Sequence, residues 1–185
     1  MCWLWGYSET MKMCLDNLRQ TVAFMDEFPD YKMIQSQAAI FNFVEKEDPR
    51  LFELVKKYVK EGRLELGGGM WTESDQNLTS GERLVRSFLL GQGYFESRFG
   101  KMARVGWLPD DFGHVSQMPQ LLKQAGCDYF YFHRCKPYLG NFWWVGPDSS
   151  RVLANGNNDY HNVGVYDSEL FIDSLKLYKN NQNRL

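Results

Sequence analysis

Histidine is scarce in this sequence. The three residues present, His114, His133 and His161, form no H-E-x-x-H, no H-x-x-x-H and no zinc-finger spacing, which excludes a self-contained metal site of those kinds. Paired cysteines are missing too: Cys2, Cys14, Cys127 and Cys135 stand far apart, with no C-x-x-C. Cys14 falls on an expected helix, and Cys127 and Cys135 bracket an expected strand, which predicts buried free thiols and a reducing, cytoplasmic setting. Neither sign of charge dominates, with 21 Lys and Arg against 23 Asp and Glu and a net charge of −2. That balance supplies no electrostatic footprint for nucleic acid or an anionic membrane surface. No apolar run is long enough to cross a bilayer, and no basic segment leading into an apolar stretch marks a signal peptide. Internal repeats and low-complexity tracts are absent as well.

Aromatic residues, by contrast, are plentiful: six Trp, ten Tyr and thirteen Phe, 16% of the chain. Such rings pack cores, and they also stack on the C–H face of a pyranose. Composition leaves both uses open.

Periodicity orders the chain. Met11, Leu15, Leu18, Val22 and Met25 recur on one face and predict a helix over 8–27, with Ser8 as N-cap and Pro29 as its stop. A strand is expected at 31–36, helices at 38–44 and 49–61, and a short strand at 64–66 leading into Gly67-Gly68-Gly69. Thr79 and Glu82 have capping-box spacing, so a long helix should start there and run to about 97, ended by Gly100. Strands at 103–107, 127–132 and 151–154, with a helix at 117–124, complete the pattern. Strands alternating with helices imply an α/β fold of parallel β/α units whose strands are buried on both faces.

In such folds sites form on the loops after the strands. The loop 107–114 is the most informative, because Asp110 and Asp111 follow an apolar strand directly and precede Gly113. This is either an acidic turn with an Asx cap or a carboxylate presented at the sheet rim as nucleophile or metal ligand. His114 alone is a weak metal signal. Arg134 suits a clamp on a hydroxyl or carboxylate, or an ordinary surface ion pair. The glycine triplet lacks the Lys-Ser/Thr of a phosphate loop.

Five segments, in order, resemble glycoside hydrolase family 38, the zinc-dependent retaining α-mannosidases. Trp3-Leu4-Trp5-Gly6-Tyr7-Ser8-Glu9-Thr10 is similar to the end of the family's H-x-D-x-A-W-L-W-P-Y-x-E-T. Gly68-Gly69-Met70-Trp71-Thr72-Glu73-Ser74-Asp75-Gln76-Asn77 is similar to G-G-M-W-V-E-x-D-x-N, and Ser80-Gly81-Glu82-Arg83-Leu84-Val85-Arg86 to S-G-E-S-L-V-R. Trp107-Leu108-Pro109-Asp110-Asp111-Phe112-Gly113 resembles W-L-P-D-x-F-G, and Phe142-Trp143-Trp144-Val145-Gly146 resembles F-x-W-x-G.

The resemblance implies that residues 1–185 are a single, incomplete N-terminal catalytic domain, its β/α units forming part of a seven-stranded β/α barrel-like fold. It implies that Asp110 is both nucleophile and ligand of a zinc ion that contacts the mannose 2- and 3-hydroxyls. Trp3 would pack against the sugar, Phe112 would line the same pocket, and Arg134 matches an arginine beside the nucleophile. By register the H-x-D ligands fall before Met1 and the distal His falls after Leu185, so one zinc ligand of the set is expected here. Asp111 and His114 match no family ligand, and no residue present matches the general acid. The start at Met1-Cys2-Trp3 accordingly leads us to expect residues upstream.

The function expected is hydrolysis of terminal α-mannosides in an oligosaccharide or glycan, with a glycosyl-enzyme on Asp110. With one ligand of four, the 185-residue chain itself is expected to be inactive. The alternative is a carbohydrate-binding relative of the same fold without catalysis. A metal-dependent polysaccharide deacetylase is disfavoured by the missing H-x-x-x-H pair.

Overall fold

A computed structural model describes residues 6–134 and 140–156. Their elements run α1 (Tyr7–Glu27), β1 (Met33–Ser36), α2 (Ala38–Glu47), α3 (Pro49–Lys60), β2 (Leu64–Gly67), α4 (Gly81–Phe99), β3 (Val105–Leu108), α5 (Met118–Gln124), β4 (Tyr129–Phe132), β5 (Gly140–Val145) and β6 (Arg151–Gly156). The apolar face of α1 is as expected: Met11, Leu18, Val22 and Met25 are buried, and Leu15 is half-buried. Asp48 caps α3, its side chain accepting Leu51 N at 3.1 Å, with Pro49 in the first turn. Gly100 closes α4 at φ 67°, left-handed backbone that favours glycine.

Two caps differ from expectation. Helix α1 starts one residue early, so Gly6 rather than Ser8 is its N-cap. Helix α4 takes Ser80 as N-cap, and the Thr79–Glu82 capping box does not form. The reason is a turn just before it: Thr79 N donates to Asp75 O at 3.2 Å, which holds Thr79 outside the helix.

The six strands form one sheet in the order β1-β2-β3-β4-β6-β5, parallel from β1 to β6, with β5 antiparallel to β6. The parallel β/α pattern is therefore present. Among the described residues the sheet is open, with β1 and β5 at its edges, so a seven-stranded barrel is not formed by them. Strand β5 falls where no strand is expected. Its hairpin partner follows a turn in which Gly146 N donates to Ser150 O at 2.8 Å, and Asp148 Oδ1 accepts Ser150 N at 3.1 Å.

Burial on both faces is also not what the strands show. Leu64, Leu66, Leu108, Phe130, Phe132, Val152 and Ala154 are buried under the helices. Strand residues one position over point to the opposite face. That face is less covered: Tyr129 is 47% and Trp143 56% exposed. Among the described residues, the alternation is that of a sheet covered on one side. Two apolar clusters fill the covered side, one joining α1, α2 and α3 to β1 and β2, the other joining α5 to β4 and β6. No helix of the described residues is long and apolar enough to cross a membrane.

Candidate active site

The carboxyl ends of β2, β3 and β4 lie side by side in the sheet, which brings the loops after them together. The loop after β2 leaves through Gly68 and Gly69, at φ 82° and 74°. It then runs between two helices. Trp71 N donates to Ser87 O of α4 at 2.8 Å, while Ala38 N and Ala39 N donate to Met70 O and Trp71 O at 3.1 and 2.9 Å. The last two bonds satisfy orphan N–H groups in the first turn of α2. Together they pin the segment that carries Glu73 and Gln76.

The loop after β3 places Asp110, half-buried, at the rim. Arg134, just beyond β4, donates from Nε to Asp110 Oδ1 at 2.9 Å, and its Nη2 donates to the same oxygen. The guanidinium also lies over Phe112, with Cζ 4.7 Å from the ring centroid. Since the Arg134 side chain is 36% exposed, the ion pair stabilises the fold by no more than about 1 kcal/mol. Its larger effect is to orient the Asp110 carboxylate. Arg134 thus touches two other expected site residues, Asp110 and Phe112, and Trp3 lies outside the described residues.

The neighbouring Asp111 has a different environment. It is 4% exposed, and its Oδ1 accepts Phe112 N at 2.9 Å, so it caps the turn. Burial pushes its carboxyl up to about 6, against the approach of Gln76 and the Phe112 N–H, which draw it down. His114 is structural: it sits edge-on to Phe130 and Phe132, ring centroids 5.0 and 5.3 Å away, and burial pushes its imidazole down to about 4. His133 packs edge-on against Tyr131 at 5.0 Å, and His161 lies outside the described residues.

Two residues given no role above belong to this site. Glu73 Oε1 accepts Asp110 N at 3.4 Å. Burial, aided by the charges of Asp110 and Asp111, pushes its carboxyl up to about 7, against the lowering effect of that hydrogen bond. A carboxyl of this kind exchanges a proton near neutral pH, beside a second carboxylate held by Arg134. Gln76 is 1% exposed and bridges the two loops. The sequence signal for Glu73 is its match to the E of G-G-M-W-V-E-x-D-x-N, to which no role is attached, while Gln76 falls on an open position of that stretch and carries none.

Glu73 and Asp110 form the ridge between two clefts. One, of about 370 Å³, is bordered further by Ser74, Asp75, Leu78 and Phe112. The other, of about 670 Å³, is bordered further by Tyr7, Gln35, Gln37 and Trp71. Neutral amides and aromatic rings beside a carboxyl pair suit a polyhydroxylated ligand. Among the described residues, no group of three or more His, Cys, Asp and Glu side chains could hold a metal ion. Asp110 is the single donor here of the expected zinc set, so these residues by themselves do not fit a zinc site.

Comparison with known proteins follows the same lines. The family model described as "Glycosyl hydrolases family 38 N-terminal domain" matches residues 1–184. Alpha-mannosidase G of Dictyostelium discoideum is 32% identical over 98% of this chain and 17% of its own length. An alpha-mannosidase of Saccharomyces cerevisiae is 36% identical over 83% of this chain and 15% of its own. The chain thus spans about a sixth of the curated relatives it matches. Among solved structures, an alpha-mannosidase from Enterococcus faecalis V583 superposes with a TM-score of 0.79 at 24% identity, covering 95% of this chain and 21% of that one. A 4-alpha-glucanotransferase from Thermococcus litoralis superposes at 0.70 with 16% identity, covering 85% of this chain and 26% of that one. At such identities both speak for the fold alone.

Proposed function

The chain belongs to glycosyl hydrolase family 38, and on that premise we propose that it carries the nucleophile of a retaining α-mannosidase, Asp110. The observation that supports this reading best is the Asp110–Arg134–Phe112 assembly at the carboxyl end of β3. The substrate is a terminal α-mannoside of an oligosaccharide or glycan. Asp110 attacks the anomeric carbon as the glycosidic bond breaks, forming a glycosyl ester, and an acid protonates the departing oxygen. Water then cleaves the ester and the configuration is retained, a course that requires the two carboxyl groups about 5–5.5 Å apart. Arg134, with two N–H groups on one oxygen, keeps the carboxylate plane fixed through both steps. Phe112 supports the guanidinium and offers its exposed ring to the sugar.

Zinc is part of the proposal, with Asp110 as one ligand and the remaining donors outside the described residues. Completed by those donors, Asp110 would help hold a zinc ion, whose positive charge would be the Lewis-acid contribution to the site. The cytoplasm is the proposed compartment, supported by the buried free thiol of Cys127.

The test is Asp110→Asn in the product of the full reading frame, assayed with a nitrophenyl α-mannoside. Loss of roughly 10³-fold or more in kcat/KM is expected for removal of a covalent nucleophile. A variant that keeps a tenth or more of the parent rate would refute the assignment. A parent protein that binds mannosides without cleaving them would favour the carbohydrate-binding relative instead.

A further inference from the structure

Gln76 is fully buried in a loop, where an amide has four hydrogen-bonding positions to satisfy. Its Oε1 accepts Val115 N at 3.2 Å. A backbone N–H can only donate, so that bond fixes which end of the amide is oxygen. The opposite end, Nε2, stands 2.9 Å from His114 Nδ1 and donates to it. His114 Nδ1 must then carry a lone pair, and the ring proton sits on Nε2. That nitrogen is buried and has no hydrogen-bond partner among the described residues, in a ring packed against Phe130, Phe132 and Trp144. The rings seat His114, His114 seats the Gln76 amide, and the amide seats the end of the loop that begins at Asp110.

The two loops also meet at the other end, where Asp110 N donates to Glu73 Oε1. Between these ends the Asn77 side-chain amide lies against Gly113, where a Cβ would stand 2.4 Å from its Nδ2. Resting on the nucleophile reading of Asp110, we propose that Gln76 is a positioning residue for this reaction. Its amide, wedged between Val115 N and His114 Nδ1, locks the loop after β3 against the loop after β2 and so sets where Asp110 stands relative to Glu73 and Arg134. Asp111 occupies the same buried pocket: its Oδ2 lies 3.8 Å from His114 Nδ1, beyond hydrogen-bond reach, which leaves the Gln76 amide as the group within bonding distance of that nitrogen among the described residues.

The test uses Gln76→Ala, Gln76→Glu and Asp110→Asn in the product of the full reading frame. Misplacement of a reacting group by about 1 Å costs on the order of 10²-fold in rate. Gln76→Ala should therefore lower kcat by about 30–100-fold and leave KM within about threefold of the parent. Gln76→Glu keeps the acceptor for Val115 N and loses the donor to His114. It should fold as the parent does, lower kcat less than Gln76→Ala, and move the His114 proton from Nε2 to Nδ1. Nitrogen NMR of the histidine rings in the 185-residue chain reads that proton directly. An Nδ1 proton in the parent, or folded Gln76 variants with parental kcat while Asp110→Asn is inactive, overturns the role of Gln76 alone. Normal activity in Asp110→Asn overturns the nucleophile reading, and this proposal with it.

Discussion

Gly91 on α4 makes a prediction opposed to helix propensity. Alanine stabilises a helix interior by about 1 kcal/mol over glycine, so Gly91→Ala would be a stabilising change in an isolated helix. Here a Cβ at position 91 would meet Gly69 O and Met70 C at 2.4 Å and Trp71 N at 2.7 Å. All three are backbone atoms of the loop after β2. That loop is held from behind by Trp71 N to Ser87 O, and by Ala38 N and Ala39 N to Met70 O and Trp71 O. Relief of the clash must move α4 or break some of these bonds. Overpacking costs about 1–3 kcal/mol and a weakened hydrogen bond about 1 more, against the 1 gained. The net expectation is destabilisation by about 1–3 kcal/mol, or roughly 2–12 °C in Tm for a chain of this size. Gly93, one turn-half away, is the control: nothing lies within 4 Å of its Cβ, so Gly93→Ala should stabilise by about 0.5–1 kcal/mol. Urea and thermal unfolding of the two variants beside the parent decide the matter. A Gly91→Ala chain as stable as Gly93→Ala would refute the close approach of α4 to the site loop.

Two further outcomes follow from charge. The Glu73 carboxyl is held near 7 against an ordinary 4.5, so the folded state favours its neutral form. Its contribution is complete below pH 4.5 and is lost as pH rises through 7, a span corresponding to at most roughly 3 kcal/mol. Glu73→Gln, measured by urea unfolding in the presence of a chelator, should match the parent at pH 4 and exceed it by about 1–3 kcal/mol at pH 8; equal stability at pH 8 contradicts the burial of this group. Asp48→Ala removes the α3 cap and should cost about 1 kcal/mol at neutral pH, with Asp48→Asn retaining most of it, since Asn also caps. The Leu51 N–H and then Arg19 hold the Asp48 carboxyl below its usual range, so the cost of the Ala change should shrink as pH falls through the carboxylate range.

Period and punctuation made much of the fold readable. The apolar stripe of α1, Pro49 at the head of α3 and Gly100 at the end of α4 are local signals, and all three act locally in the structure. Strand β5 was hidden because Gly140–Val145 carries neither strict alternation nor β-branched residues until its end, although Pro147-Asp148 marks the turn that folds it onto β6. The capping box at Thr79 failed for a comparable reason: an adjoining turn took the same backbone groups. Within the site, Asp110 and Arg134 are legible because an ionisable residue after an apolar strand is unusual. The roles of Glu73, visible only as the E of G-G-M-W-V-E-x-D-x-N, and of Gln76 are not, since they arise from loops that meet only when β2 and β3 pair. No sequence spacing encodes the 2.9 Å contact between Gln76 and His114, 38 residues apart.

The central claim is that Asp110 forms a bond to the sugar. A mannosyl fluoride carrying a fluorine on the ring slows both steps of retention, and a good leaving group makes the glycosyl-enzyme accumulate. Incubation of the full reading-frame product with this reagent, digestion and peptide mass spectrometry would locate the adduct. One fluoromannosyl mass increment is expected, on the peptide containing Asp110 and absent from Asp110→Asn. An adduct on any other carboxylate, or active enzyme that turns over mannosides with inverted configuration and no adduct, would contradict it.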